Sequence, residues 1–290
     1  MTAAHQKSAG IRRLWQFSGF TLMRAAVLID AAALFGIIGL IIVNAWPALS
    51  WEFLTEPPKN MMTTGGIWPC IVGTFWLAAG ALIVALPLGV ASAIYLTEFA
   101  KESAWTTLTR LSIANLAGVP SIVFGLFGLT FFVVFCNMGV SLLAGILTLA
   151  VLTLPIIINT AEAALRQVPQ DWREASLALG ASRRETIMKV VLPNAMPGIL
   201  TGAILSLART AGETAAIMYT GSVFFTPKEG VSLFEPVMAL PYHIYVLATS
   251  GTNIEATRPL QYGTALVLVL LVLVMSSTAI IIRERVRSRG

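Results

Sequence analysis

A charged pair lies within one of the apolar stretches of this sequence. Arg209 and Glu213 are four residues apart, a spacing that puts both side chains on one face of an α-helix. An arginine at the centre of a membrane helix costs roughly 2.5–3.5 kcal/mol on insertion scales, so a counter-charge is expected. Two interpretations stay open. The pair joins this helix to a neighbour, or Arg209 meets a passing anion and Glu213 keeps it from being held too tightly.

Small and polar residues continue this face in helical steps of four and three. The opposite faces carry Ile, Leu and Met, so the polar stripe is expected to face protein or water rather than lipid. We therefore predict that Arg209, Glu213, Ser206 and Thr220 lie on a translocation pathway. The full stripe is Gly202, Ser206, Arg209, Glu213, Ala216 and Thr220.

A second patterned segment, residues 168–193, predicts a helix, a glycine break and a second helix. Asp171 or Gln170 can cap the first helix, and Gly180 is expected to end it. Trp172, Ala175 and Leu179 form an apolar stripe at helical spacing. Such a short amphipathic helix is suited to a groove in a partner protein. The alternative is a helix that lies on lipid headgroups.

Composition places these features in a membrane protein. Of the 290 residues, 57% are hydrophobic and 11% charged, too few polar residues to cover a water-soluble globule. The net charge of +5 belongs to basic residues that flank apolar spans, which argues against nucleic acid as a partner and for contact with membrane lipid. The sequence predicts one all-α domain with six transmembrane helices at about 25–46, 71–97, 111–135, 140–165, 196–220 and 262–282.

The basic residues also predict the orientation of these spans. With six spans, fifteen Lys and Arg fall on one side and three on the other, so both termini are expected in the cytoplasm. Residues 1–24 are then a cytoplasmic N-terminal segment, 166–193 a cytoplasmic loop and 283–290 a cytoplasmic tail. The turn between spans three and four is expected at Asn137–Gly139. Glu162 is expected to pair with Arg166, four residues on.

The sequence lacks the residues that several kinds of chemistry require. Cys70 and Cys136 have no metal-ligand spacing, so we expect no metal site and ordinary packing for both. No glycine-rich loop followed by Lys and Ser or Thr occurs, so ATP and Mg²⁺ must be bound by a partner. A membrane enzyme would need clustered catalytic side chains, and both histidines lie outside the spans. A signalling scaffold could use the loop but leaves the polar stripe unexplained.

The loop resembles a known signature. Glu174-Ala175-Ser176, then Gly180, Val190 and Leu192-Pro193, is similar to the EAA signature of ABC importer permeases, with Ser176 and Val190 as mild departures. The resemblance implies the MetI-like permease fold, with the first loop helix as a coupling helix that sits in a cleft of an ATPase. Glu174, Ala175 and Gly180 are then the contact and hinge positions.

Further stretches resemble the phosphate-specific transport (Pst) permeases, and among them the A-subunit group. These stretches are Gly65–Thr74, Tyr95–Glu98, Gly118–Gly128, Arg209–Ala215 and Phe234–Tyr245. The resemblance implies an ATP-driven phosphate importer of the bacterial inner membrane, in which the Arg of the fourth stretch acts in phosphate passage. Its partners are a homologous C-type permease, a dimeric B-type ATPase and an extracytoplasmic S-type phosphate-binding protein. An importer of another oxyanion or small solute is the alternative, since the loop signature is shared more widely.

Overall fold

The computed structural model describes residues 2–59, 64–226, 232–250 and 254–287. Within them, five helices are long and apolar enough to cross a membrane, and the number is six if Ala104–Leu116 and Ser121–Phe135, which are bent by 101° relative to each other, form one span. This architecture confirms the predicted all-α membrane fold class. A two-stranded antiparallel ribbon, β1 (Pro58–Lys59) and β2 (Thr64–Gly65), is the only sheet in the described part of the chain.

The first part of the chain contains the helices that lead into the bundle. Helix α1 is Thr2–Ala45, and a short 3₁₀ turn, Trp46–Ala48, leads to α2 (Trp51–Thr55). Helix α3 is Trp68–Ile94 and continues without a break as a π-helical turn, Tyr95–Phe99. Residues 2–24 of the N-terminal segment are thus part of the same helix as the first span, since α1 begins more than twenty residues before the expected start of that span.

The predicted third span is bent rather than straight. Helix α4 (Ala104–Leu116) ends before Gly118 and Pro120, and α5 (Ser121–Gly128) starts in a new direction and continues as a π-helical segment, Leu129–Phe135. Pro120 lacks an N–H and disfavours a helical residue before it, which accounts for the break. The single span predicted at 111–135 is therefore wrong in shape. The turn that follows is where it was predicted, with Asn137 and Gly139 at φ 54° and 64°.

The second half of the bundle carries the loop. Helix α6 is Leu142–Arg166, and the loop contains α7 (Gln170–Ala178) and α8 (Arg183–Thr186). A π-helical turn, Ile187–Val191, leads into α9 (Leu192–Ala211), followed by a 3₁₀ turn, Ile217–Tyr219. Helices α10 (Leu240–Thr249) and α11 (Ile254–Arg287) complete the chain.

Helix α6 is the centre of the bundle. Two thirds of the residues in its most apolar stretch are buried, whereas the most apolar stretch of α1 contains no buried residue. Helices α3, α5 and α9 pack around α6. On α9, Gly198 packs against Ala164, and Gly202 against Thr160, so the two helices run antiparallel in close contact. This core fixes both the loop at one end of α6 and the residues that α9 carries toward the other end.

Candidate functional site

Helix α7 presents the predicted contact residues to the outside of the chain. It buries none of its side chains, and Glu174 and Ala175 are both exposed. Leu179, at its end, is 90% exposed. The N-cap is Pro169 without a side-chain hydrogen bond, so the predicted cap by Asp171 or Gln170 is wrong. Proline fits here because the first helical turn has free N–H groups in any case.

Gly180 ends α7 and turns the chain into α8. Its φ of +86° lies in the left-handed region that favours glycine, and its N–H bonds to the Leu177 carbonyl, as predicted for a helix stop. Ser182 then caps α8 in a reciprocal capping box with Glu185. Ser176, the departure from the EAA signature, shares a 2.9 Å hydrogen bond with the buried Thr186 and so ties α7 to α8.

Arg173 anchors α7 to the bundle, a role that the sequence did not reveal. Its guanidinium lies 2.9 Å from a carboxylate oxygen of Glu98, in the π-turn that follows α3. It also donates to the carbonyls of Leu165, in the last turn of α6, and Val168, just after it, at 2.9 Å and 2.6 Å. Both charged side chains are largely buried. One arginine therefore joins the loop helix, the end of α3 and the end of α6.

Two more arginines reach the same π-turn. Arg183 of α8 donates to the Glu98 carbonyl, and its guanidinium lies over the Phe99 ring at 5.1 Å from the centroid. Arg110 of α4 donates to the Leu96 carbonyl at 2.9 Å. A groove of 610 Å³ runs beside this junction between the end of α3 and the loop. We call Arg110, Arg173 and Arg183 with the π-turn the arginine clamp.

Glu162 connects α4 to the end of α6. It pairs with Arg166 at 2.7 Å, which confirms the predicted i, i+4 contact. The same carboxylate oxygen lies 2.9 Å from Nε of Arg110, a long-range contact that spacing alone could not indicate. Arg110 further contacts Glu102 at 3.3 Å. The end of the bundle near the loop is thus held by a network of charges.

Arg209 and Glu213 do not form the predicted pair. Helix α9 ends at Ala211, because Gly212 leaves the helix, so Glu213 does not continue the face that carries Arg209. Neither side chain has an ion pair or hydrogen bond to another side chain in the described part of the chain. Arg209 is exposed on the last turn of α9, and Glu213 is half-buried.

The packing of α9 gives the height of Arg209 in the bundle. Gly202 lies opposite Thr160, and the helices are antiparallel, so seven residues further along α9 correspond to Thr153 on α6. Thr153 is near the midpoint of Leu142–Arg166. At about 1.5 Å per residue, Arg209 lies roughly 10 Å beyond Gly202 along the axis. An exposed, unpaired arginine therefore stands near half-height of the bundle.

The rest of the predicted stripe is not one exposed surface. Ser206 and Thr220 are buried within the chain, and Thr220 bonds to the Ala216 carbonyl at 2.9 Å. Gly202 and Ala216 are also buried, against α6 and α5. The stripe is split because the helix stops at Ala211. Ser206 and Thr220 are thus packed inside the chain in this conformation, and their place on a translocation pathway stays a prediction.

The cysteines and the metal-ligating residue types form no site in the described residues. Cys70 is buried in an apolar cluster with Phe53 and Met238, as ordinary packing predicts, whereas Cys136 is exposed. Across residues 2–59, 64–226, 232–250 and 254–287, no three His, Cys, Asp or Glu side chains come together as metal ligands would. No feature that would bind a cofactor is seen in this part of the chain.

Comparisons with known proteins agree with this architecture. The model of the family described as "Binding-protein-dependent transport system inner membrane component" matches residues 85–289. The chain is 36% identical to the probable ABC transporter permease protein YqgI of Bacillus subtilis, over 87% of this chain and 89% of that protein. It is 31% identical to the phosphate transport system permease protein PstA of Xylella fastidiosa (strain Temecula1), over 99% of both chains.

Solved structures show the same fold at lower identity. A chain of the MetNI methionine ABC transporter, in inward-facing conformations, aligns with a TM-score of 0.57 at 23% identity over 76% of this chain and 94% of that chain. A chain of a bacterial ABC transporter for the import of alginate aligns with a TM-score of 0.60 at 14% identity over 94% of this chain and 99% of that chain.

These matches also bear on partners and on chemistry. The family implies a second permease chain and a separate ATPase, which agrees with an exposed loop helix that buries nothing in its own chain. Because at least five of its described helices can cross a membrane and the family model matches residues 85–289, this chain is a multi-pass membrane transport subunit rather than an enzyme, and it belongs to the family of binding-protein-dependent transport system inner membrane components.

Proposed function

We propose that this chain is one of the two permease subunits of an ATP-driven importer of inorganic phosphate, in which Arg209 meets the anion within the membrane. The observation that carries the proposal is the exposed, unpaired Arg209 near half-height of the bundle. Relatives named as phosphate transport permeases support phosphate as the anion.

The position of Arg209 favours a pathway over lipid. A guanidinium that faced hydrocarbon would carry a penalty of roughly 2.5–3.5 kcal/mol, and the carbonyls at the end of α9 offset only part of it. Within the described residues no carboxylate neutralises Arg209. The exposed side of α9 at this height therefore faces the second permease subunit and a water-filled path between the two chains. An oxyanion in this path supplies the counter-charge for Arg209.

Glu213 follows on the non-helical segment after Gly212. Because it does not neutralise Arg209 in this conformation, it is available to compete with the anion when the segment moves. A site that holds its ion loosely is needed for release. Ser206 and Thr220 are buried within the chain in this conformation, so a role of these two side chains in the pathway requires that the segment move.

The loop supplies the connection to the ATPase. Glu174 and Ala175 point out of the chain on α7, and Leu179 adds an apolar contact at its end. We assign these residues to a cleft of the ATPase, with Gly180 as the hinge toward α8. ATP and Mg²⁺ belong to that partner, a dimer of the Pst B type, since this chain lacks a phosphate-cradling loop.

The distribution of basic residues orients the complex. With fifteen Lys and Arg on the side of the loop, both termini and the loop are in the cytoplasm of a bacterial inner membrane. The opposite face, with the ribbon and α10, is then available to an extracytoplasmic phosphate-binding protein of the Pst S type. The second permease is of the Pst C type.

The experiment is ATP-driven uptake of labelled phosphate into vesicles that contain the four-component importer. Arg209→Ala is expected to reduce uptake about 10- to 100-fold, the value of one charge-assisted hydrogen bond, with complex assembly unchanged. Arg209→Lys keeps the charge and should retain more uptake. The matched control is Arg24→Ala, an exposed arginine on α1, which should leave uptake unchanged. Normal uptake by Arg209→Ala would refute the anion role, and loss of assembly would favour a structural role.

A further inference from the structure

We propose that the π-turn Tyr95–Phe99 makes α3 move with the coupling loop, and that Arg173 and Glu98 are the positioning residues for this link. The proposal rests on the proposed transport function, because it concerns how motion of the loop reaches the bundle. The Arg173–Glu98 contact connects the loop to a helix that is not its neighbour in sequence. The loop is linked in sequence to α6 and α9, but α3 is reached only through side chains.

Glu98 is the central residue of this tie. Its carboxylate accepts from Arg173 of α7, and its carbonyl accepts from Arg183 of α8. It is 9% exposed, so its charge is poorly solvated and depends on the arginine for compensation. Both loop helices therefore contact one residue at the end of α3.

The contacts of Arg173 fix the position of its guanidinium. Its guanidinium bonds to Glu98 and to two carbonyls at the end of α6, those of Leu165 and Val168. A guanidinium is planar and its donors are fixed in a fork, so this set of acceptors defines one position. A shift of α7 relative to α3 or α6 would leave a buried charge without partners, which makes joint movement the less costly response.

The π-turn itself is suited to this role. A π-helical turn leaves the regular i, i−4 bonding, and such turns are rare and often mark functional sites. Here the carbonyls of Leu96 and Glu98 are taken up by Arg110 and Arg183, from α4 and α8. The arginine clamp thus connects α4, α7 and α8 to the π-helical turn at the end of α3. Movement of α7 is therefore transmitted to α3 directly, rather than through the chain segment that connects the loop to α9.

The first test compares Glu98→Gln with Glu102→Gln in the four-component importer in vesicles. Both changes remove one carboxylate that contacts an arginine at the same end of the bundle, but Glu102 is exposed on the surface. Glu98→Gln is expected to lower the phosphate accumulated per ATP hydrolysed about tenfold while ATP hydrolysis continues. Glu102→Gln should keep the wild-type ratio. An unchanged ratio for Glu98→Gln would overturn the proposal.

The second test does not depend on the substrate. Spin labels are placed on cysteines at Leu88 of α3 and Asp171 of α7, both exposed, in the Cys136→Ser background of the assembled complex. With the clamp intact, the distance between the labels should stay narrow and unchanged when ATP is added. In Glu98→Gln it should broaden or shift with ATP. A distance that changes with ATP in the intact clamp would overturn the proposal.

These two measurements distinguish a failure of the proposed transport function from a failure of the proposed link between α3 and the loop. If the wild-type complex moves no phosphate, the proposed function fails, yet the label distance still decides whether α3 and α7 move together. If Glu98→Gln does not assemble, Arg173→Lys takes its place in the distance measurement, because it keeps the charge and loses the fork. An ATP-independent distance in Arg173→Lys as narrow as in the wild type would then count against the clamp.

Discussion

The contact between α5 and α6 leaves no room for a methyl group at Gly128. A Cβ there would lie 2.2 Å and 2.7 Å from Oγ1 and Cγ2 of Thr148, and 2.9 Å from Cγ2 of Thr220. Thr148 is fully buried, and its hydroxyl donates to the Ala144 carbonyl at 2.7 Å, so its side chain cannot turn away. Helix α5 must therefore retreat by about 1 Å in Gly128→Ala, and such overpacking typically costs 1–3 kcal/mol.

We expect Gly128→Ala to lose about 2 kcal/mol, which lowers the midpoint of thermal inactivation of the purified complex by roughly 5 °C. Thr148→Ala removes both atoms that the new methyl group would meet first. The double variant should therefore lose at least about 1 kcal/mol less than the sum of the two single variants. The control is Gly36→Ala, where no atom lies within 4 Å of the new Cβ. Because alanine favours a helix over glycine, its midpoint should be no lower than that of the wild type.

Two results would refute this reasoning. The first is a Gly128→Ala complex as stable as the wild type, which would mean that α5 is not held against α6 as described. The second is additive destabilisation in the double variant, which would mean that Thr148 is not the obstacle. The change is measured as residual complex, or residual ATP hydrolysis, after heating for a fixed time.

Three further predictions concern the loop and α10. Gly180→Ala should destabilise the loop by about 1–2 kcal/mol, because the φ of +86° at this position strains any residue with a Cβ. Gly180→Asn should destabilise the loop less. Equal rates of loop proteolysis for the wild type and Gly180→Ala would contradict this prediction. Ser176→Ala removes the hydrogen bond to Thr186 and should lose about 1 kcal/mol in the same proteolysis assay, whereas an unchanged rate would show that the bond contributes nothing. Burial lowers the pKa of His243 from 6.5 to about 4, so the folded state excludes a proton that the unfolded chain binds, and stability is complete above pH 6.5 and falls as the pH drops toward 4. By pH 5 the loss is about 2 kcal/mol, and His243→Leu should abolish this part of the acid sensitivity in thermal inactivation curves; an unchanged curve would contradict it.

Much of the loop could be predicted because its signals are local. A helix stop at Gly180 depends on a left-handed φ, and a contact between Glu162 and Arg166 depends on helical spacing. Both are set by neighbours in sequence. The break between spans three and four at Asn137–Gly139 was predictable for the same reason, since short turn residues interrupt an uncharged run.

The clamp could not be predicted because its partners are distant in sequence. Glu98 and Arg173 meet only once α3 and α6 have packed and brought the ends of both helices together. The sequence held one signal, a carboxylate at the end of an apolar span beside a loop rich in arginine. That signal does not say which of five basic residues in 166–190 is the partner.

The error at Arg209 and Glu213 has a different cause. Spacing of four implies one face only if the helix continues, and here Gly212 ends it between the two residues. Tertiary contacts favour this ending, because the segment after Gly212 packs against α5, with Ala215 and Ala216 close to Gly125. An apolar, helix-compatible composition concealed a break that only the packing explains.

The most direct test of the central claim is ATP-driven accumulation of labelled phosphate in vesicles with and without this chain. The vesicles contain the second permease and the ATPase, with the binding protein on the opposite side. We predict accumulation only when this chain, ATP and the binding protein are all present, with full suppression by unlabelled phosphate and little by sulfate or molybdate. Accumulation that sulfate or molybdate suppresses better than phosphate, or no accumulation by the complete complex, would contradict the assignment of phosphate as the substrate.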